Sequence, residues 1–478
     1  MATRKERAED GEAPDASARP GAEEGGAAGA GYDEARTSAV DHGGEEAAVA
    51  PSRPRVTARV RRTIRLAGRS LHHRNFRLYV GGMGVSLVGT WMQRVAMSWL
   101  VYRLSESAFL LGVVGFASRI PTLLVGAFAG VVADRWNRRR ILYVTQALSM
   151  LQALALAVLV LSGTVRVWHV VALALFLGVL NAFDIPARQA YFVHMIDDEG
   201  DLGNAIALNS SVFNLARLIG PSVAGLLIAA VGEGLVFGLN GLTYLAMIAA
   251  LAQMRTVSEG VQDRSRRMIE HLRDGFSFAY RFTPVRAVLL LVMTTSFFAV
   301  PFIILMPVFA TDVLGGGPDT LGFLMTAQGV GALAGALFLA ARETNRGLGR
   351  LIALAVATLG TGLILFSASR SLWLSLPLLA VAGFGLMVQM ASSNTFLQTA
   401  VDDELRGRIM SLYTMSFMGT LPLGSLYAGA IADRIGAPAT VAIGGTIALA
   451  AAAVFTRLLP GLREEARARY AERREAAD

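Results

Sequence analysis

Twelve stretches of mainly apolar residues, each about 20 residues or longer, follow one another between residues 78 and 458. A helix needs about 20 such residues to cross the hydrocarbon core of a bilayer. In lipid the backbone N–H and C=O groups must be satisfied within the segment itself. Length and repetition together point to an all-α polytopic membrane protein. The expected spans are 78–102, 107–132, 141–162, 168–194, 204–231, 234–253, 287–311, 320–341, 350–369, 373–399, 409–432 and 437–458. Composition agrees: 54% of the 478 residues are hydrophobic and 17% are charged, against about 25% charged in an ordinary soluble protein.

The charge sits between the apolar stretches. The net +8 comes almost wholly from arginine, Lys5 being the one lysine. No basic stretch alternates with aromatics on a soluble fold, so nucleic acid is not an expected partner. Four arginines follow span 2, seven lie between spans 6 and 7 (Arg255 to Arg286), and Arg342, Arg346 and Arg350 follow span 8. The alternate loops hold only Arg103, Arg166, Arg370 and Arg434. By the positive-inside rule, both termini are expected in the cytoplasm of a bacterial-type inner (plasma) membrane. The acidic loop "HMIDDEGDLGN" dissents, but acids contribute little to orientation. With no cysteine, neither a disulfide nor a thiolate metal site is available. The six histidines (42, 72, 73, 169, 194 and 271) show no ligand spacing, and no metal is expected.

The two halves look related. Residues 198–225, "DEGDLGNAIALNSSVFNLARLIGPSVAG", align without gaps to 402–429, matching Gly203 to Gly407, Gly220 to Gly424 and Gly225 to Gly429. A six-plus-six duplication follows, with two pseudo-symmetric six-helix bundles. The expected organisation is a disordered cytoplasmic tail over 1–70, basic from Arg53 onward, and a first bundle over 71–254. A linker over 255–286 follows, then a second bundle over 287–460 and a cytoplasmic tail over 461–478. In the linker, Met268, Leu272, Phe276 and Ala279 recur at helical spacing, as in an amphipathic helix on the membrane surface.

"GVVADRWNRRR" (130–140) ends span 2 on an acid and a burst of arginines. With twelve spans and two related halves, the chain resembles the major facilitator superfamily. That superfamily has a loop motif G-x-x-x-D-R-x-x-R-R between helices 2 and 3, filled here by Gly130, Asp134, Arg135, Arg138 and Arg139. Asn137 replaces the usual glycine at the turn. "RLIGPSVAGLL" (217–227), with Gly220, Pro221 and Gly225, is similar to the helix 5 motif of many antiporters of the superfamily. "NAFDIPARQAYF" and "DDELRGRIMSLY" resemble the exporter branch that includes the enterobactin exporter, the transmembrane secretion effectors. The resemblance implies transport by alternating access and a loop cluster that stabilises the outward-facing state. The other reading of those arginines is a topology marker alone.

Ionisable groups inside a span are costly, about 2.5–3.5 kcal/mol each on insertion scales, so each needs a partner or a task. Five lie in the first half: Arg94, Arg119, Asp184, Arg188 and Arg217. Asn181, Asp184 and Arg188 share one stripe of span 4; Ser210, Asn214, Arg217 and Pro221 share one of span 5. In span 2, Gly112, Gly115, Arg119, Thr122, Gly126 and Gly130 form a small and polar stripe suited to close helix approach. The arginine excess favours an anionic substrate group, with Asp184 as a possible proton carrier. The alternative is structural: Asp184 and Arg188 neutralise each other, and Arg119 or Arg217 donates to carbonyls freed by Pro186. The second half offers neutral polar groups, among them Gln328, Gln389 and Tyr413, and adaptable methionines such as Met325, Met390, Met415 and Met418.

The expected function is secondary active export of a siderophore-like or drug-like molecule, driven by proton antiport. The protein is expected to be a monomer in the bilayer with no organic cofactor. Without a GxxxxGK[ST] loop, ATP is not the expected driver. Proton-coupled import is the alternative, and a sensor or enzyme on the same fold a more distant one. Paired catalytic carboxylates, HExxH and GxSxG are not found in the sequence.

Overall fold

The computed structural model describes residues 69–196, 198–255, 277–342, 344 and 347–477. The expected disordered tail and most of the amphipathic linker helix lie outside the described residues. So does the side chain of Asp134. Of the linker, residues 277–281 are helical and 283–286 already belong to the helix of span 7.

Helices occupy all twelve expected spans. Span 1 is Arg74–Ser105, span 3 Arg138–Leu161, span 4 Val167–Val193, span 8 Pro318–Ala340, span 9 Leu348–Ala368 and span 10 Leu372–Ala400. Spans 5 and 6 form one run, Glu199–Gln253, interrupted at Gly232, whose φ of 80° reverses the chain. Span 11 covers 403–435 with a π-helical turn at Met415–Gly419. Span 12 and the expected C-terminal tail are a single helix, Ala437–Ala477. Span 7, Thr283–Val313, is irregular: it passes through π-helix at Thr295–Ala299 and again at Phe309–Val313. Pro301 and Pro307, which cannot donate backbone hydrogen bonds, lie between those turns.

Span 2 departs from expectation. Its helix breaks into Ala108–Ala117 and Ile120–Arg135. Pro121 has no N–H for the carbonyl of Ala117, so Ser118 and Arg119 leave the helical path there. The predicted stripe along this span is therefore not one continuous packing face. Gly112 and Gly115 are packed, whereas Cβ atoms at Gly126 and Gly130 would meet nothing within 4 Å.

The described chain enters span 1 and leaves span 12 at one end of the helices. Ser70 donates through N and Oγ to Asn204 Oδ1, at 3.1 and 2.8 Å, in the first turns of span 5. Thr283 N, opening span 7, donates to Glu465 at 3.1 Å. We call this the terminal end and the opposite one the far end.

Within the first half, a buried amide network joins four spans. Gln93 donates to Gln152 (2.9 Å), Asn240 donates to Gln93 (2.6 Å), and Gln152 donates to the carbonyl of Leu173 (3.3 Å). Such bonds hold helices together where lipid offers no hydrophobic drive.

The halves meet at the far end. A Cβ on Gly112 would lie 2.7 Å from the Ser425 carbonyl oxygen, and one on Gly429 2.6 Å from that of Ala108. Spans 5 and 8 repeat the contact: a Cβ on Gly225 would lie 2.6 Å from the Pro318 carbonyl oxygen, and one on Gly322 2.8 Å from that of Pro221. The duplication seen in the sequence thus has a physical counterpart, because Gly225 and Gly429 do the same job. Gly220 and Gly424 also correspond: the first packs on Trp91 of span 1, the second on Phe297 and Pro301 of span 7. Polar contacts reinforce the seam. Tyr102 donates to Asp312 at 2.5 Å, Ser107 to Asp433 at 3.1 Å, and Ser222 and Thr326 share a 2.5 Å hydrogen bond. Toward the terminal end the same spans lose this close approach between the halves. Cβ atoms at Gly126, Gly130, Gly203 and Gly407 would meet nothing within 4 Å, and Phe213, Met415 and Met418 are exposed. The molecule is closed at the far end and open at the terminal end.

This closure is testable with a single reporter cysteine, since the chain has none of its own. Ser425, 1% exposed, lies in the closed seam beside Gly112. Gly225→Leu on the other helix pair should force the far end apart and raise the labelling rate of Ser425→Cys by a water-soluble maleimide several-fold. An unchanged rate would mean the two helix pairs do not open together.

Candidate functional site

At the apex of the open side, between the halves, lies a cavity with about 620 Å³ of empty space, part of it open to solvent. Arg119 and Arg217 of the first half face Pro301, Ile304, Met387, Met390 and Phe417 of the second. No carboxylate lines it.

The local sequence explains the placement of both arginines. Arg119 sits at the break in span 2, where the lost helical bond lets its side chain fold back on the helix, Nη1 standing 3.4 Å from the carbonyl of Gly115. It does not serve carbonyls near Pro186, as one structural alternative had it. Arg217 lies one turn before Pro221 in span 5. Gly220 lets span 5 press against Trp91, whose Cβ would be 2.5 Å from a glycine Cβ. The Trp91 indole is thereby held between two guanidinium groups, with Arg94 Cζ 4.6 Å and Arg217 Cζ 5.9 Å from its ring centroid. Cation–π contacts of this kind contribute about 0.5–2 kcal/mol each. Arg94, exposed in mid-span 1, is also close enough to Arg119 and to Arg217 to repel each of them. The sequence reading named all three arginines but missed Trp91. Its signal was available: Trp91 stands at i−3 from Arg94, on the same helical face.

Asp184 lies elsewhere. It is 5% exposed and accepts from Thr145 Oγ1 and Gln146 Nε2, each at 2.8 Å, on span 3. Arg188 donates to it through Nε at 2.9 Å and through Nη2 as well. The stripe of span 4 thus packs Asp184 within the first half, not against the apex cavity. Asn181 is half-buried, and Asn214 donates to the Ser210 carbonyl of its own helix at 2.9 Å. In the second half, Gln389 donates to Thr295 at 2.6 Å and Tyr413 to the Met390 carbonyl at 2.9 Å, so these polar groups brace spans 7, 10 and 11. Met390 and Phe417, in contrast, line the cavity.

The arginine loop after span 2 grips two other helices. Arg138, 8% exposed, bonds His194 Nε2 at 2.7 Å, just past span 4. Arg139 donates to the carbonyls of Leu251 and Ala252, at 2.6 and 3.3 Å, in the last turn of span 6. A cation there also complements the negative end of the helix dipole. Asn137 takes up the turn position where the superfamily motif has glycine. Its side chain caps span 3 by accepting from Arg140 N at 2.9 Å, which accounts for the departure. Arg135 and Trp136 are exposed beside it.

Comparison with known proteins agrees with this geometry. Residues 69–475 match the family described as transmembrane secretion effector. The chain is 30% identical over 380 residues to the multidrug efflux pump Tap of Mycolicibacterium fortuitum, covering 77% of this chain and 92% of that one. It is 28% identical over 375 residues to the staphyloferrin A transporter of Staphylococcus aureus, again covering 77% and 92%. Among solved structures, the nucleoside transporter NupG superposes with a TM-score of 0.65 at 12% identity, covering 81% of this chain and 98% of that one. The D-xylose–proton symporter gives 0.63 at 14% identity, covering 80% and 96%. These two share the twelve-helix fold. The chain belongs to the transmembrane secretion effector family of the major facilitator superfamily, and is an integral membrane transporter of small organic molecules.

Proposed function

We propose that the protein exports an amphipathic organic anion by alternating access, and that the structure is its inward-facing state. The observation that carries this reading is the apex cavity: Arg119 and Arg217 on one wall, Arg94 behind them sharing the Trp91 ring with Arg217, apolar and methionine side chains on the other wall, and no carboxylate among the described lining residues. An anionic group satisfies the arginines, and an apolar or aromatic body fits the opposite wall. Efflux of drugs by Tap and carriage of a siderophore by the staphyloferrin A transporter support the class. The arginine distribution supports termini in the cytoplasm, which makes the open end the cytoplasmic one.

Arg119→Gln or Arg217→Gln should each weaken an anionic ligand by about 1.5–3 kcal/mol, the loss of one charged hydrogen bond. A matched neutral ligand should lose much less. Equal losses for both ligands, accompanied by a lower melting temperature, would reduce the arginines to packing partners.

We propose further that inward proton flow drives export, with Asp184 as the carrier. Its support is position: it is a buried carboxylate within a span, and the side chain of its partner Arg188 is 22% exposed. Asp184→Asn alone leaves Arg188 uncompensated and should destabilise by about 3–5 kcal/mol. The double variant Asp184→Asn/Arg188→Gln removes both charges and should fold. In sealed proteoliposomes it should bind ligand yet fail to move it up a gradient when a pH difference is imposed. Retained pH-driven transport would assign the pair a structural role.

The loop after span 2 acts as a conformational clamp in this scheme, through Arg138 on His194 and Arg139 on span 6. Asp134→Asn should leave expression and ligand binding intact while slowing turnover in liposomes. Full turnover in that variant leaves the loop as a topology marker.

A further inference from the structure

Outside the transport path, at the terminal end, a short turn of 3-10 helix (Arg69–His72) leads into span 1 and docks on the first turn of span 5. His72, its last residue, and His73, which follows it, converge there on one carboxylate. His73 Nε2 is 3.2 Å and His72 Nδ1 3.6 Å from Asp201 Oδ2, and the three ligand atoms all lie within 4.8 Å of one another. Asp201 is 1% and His73 6% exposed, whereas the His72 side chain is 62% exposed, so the group is built into the fold yet reachable from solvent.

We propose that His72, His73 and Asp201 form a binding site for a divalent transition metal of the zinc type. Zinc takes imidazole nitrogen and carboxylate oxygen at about 2.0–2.2 Å, which places adjacent ligand atoms of a tetrahedral site about 3.3 Å apart. The two separations to Asp201 already match that edge. Two imidazoles and one carboxylate suit zinc better than magnesium or calcium, which prefer all-oxygen sites. The docking is also fixed independently of any metal, because Ser70 bonds Asn204 through both N and Oγ. Metal would find its ligands held close together and would tie the entry to span 1 onto span 5, the helix that carries Gly225 into the far-end seam.

Two groups compete for the same atoms. Arg69 Nε pairs with Asp201 Oδ1 at 2.7 Å, and the Arg69 carbonyl lies 2.5 Å from His72 Nδ1. The metal must displace the proton on that nitrogen and tolerate or expel the guanidinium. A structural ion-pair cluster and a metal site therefore respond oppositely to loss of Arg69.

The test uses the full chain in detergent, carrying no polyhistidine tag, titrated with zinc chloride and separately with magnesium chloride while melting temperature is followed. Cobalt(II) absorption in the visible provides a second readout of ligation. Zinc should raise the melting temperature saturably and magnesium should not. His72→Ala, at an exposed position, should weaken zinc at least tenfold, and Arg69→Gln should tighten it severalfold by removing a competing cation. The site is overturned by no zinc-dependent rise in the parent protein. It is equally overturned by the same rise in His72→Ala, or by weaker zinc binding in Arg69→Gln.

Discussion

Backbone meeting backbone at the far end is the contact on which the rest of the structure depends. Gly112 against Gly429 and Gly225 against Gly322 bring two pairs of helices closer than any side chain allows. The attraction is dispersion between main-chain atoms, available only where Cβ is absent. With that end sealed, the same long helices diverge toward the other end, and the cavity forms where they part. The amide network of Gln93, Gln152 and Asn240 stiffens the first half, so that parting occurs between the halves and not within one.

The two halves divide the chemistry. The first brings the cavity's charges, Arg119 against the Gly115 carbonyl and Arg217 against Trp91. The second brings Pro301, Ile304, Met387, Met390 and Phe417. Methionine side chains adapt their shape at small cost, which on the proposed function suits this wall to varied apolar groups and the arginine wall to charge.

Much of this was legible in the sequence. The spans are visible because each must be about 20 apolar residues long. The duplication is visible because the packing glycines recur at one spacing, and the structure assigns Gly225 and Gly429 the same contact. Other features were not legible for a common reason: they depend on residues far apart in the chain. The histidines at 72 and 73 have no ligand spacing, because their third partner, Asp201, is 128 residues beyond His73. Span 2 breaks at Pro121, where one missing N–H interrupts the helix between Gly115 and Gly126, and the halves are apart at Gly126 and Gly130. Asp184 looked like a candidate for the substrate cavity, yet its partners Thr145 and Gln146 turn it inward.

The cluster of Arg94, Arg119 and Arg217 has a consequence for the empty carrier. Alternating access passes through an occluded state, in which the cavity loses its connection to bulk water. Dehydrating unpaired guanidinium groups costs several kcal/mol per ion even after relaxation. An unloaded cavity therefore resists occlusion and stays wetted on its open side. An anion that enters brings the compensating charge with it and removes most of that cost. On the proposed export cycle, occupancy itself becomes the licence to close, so arginines that select an anionic cargo also suppress futile cycling of the vacant transporter.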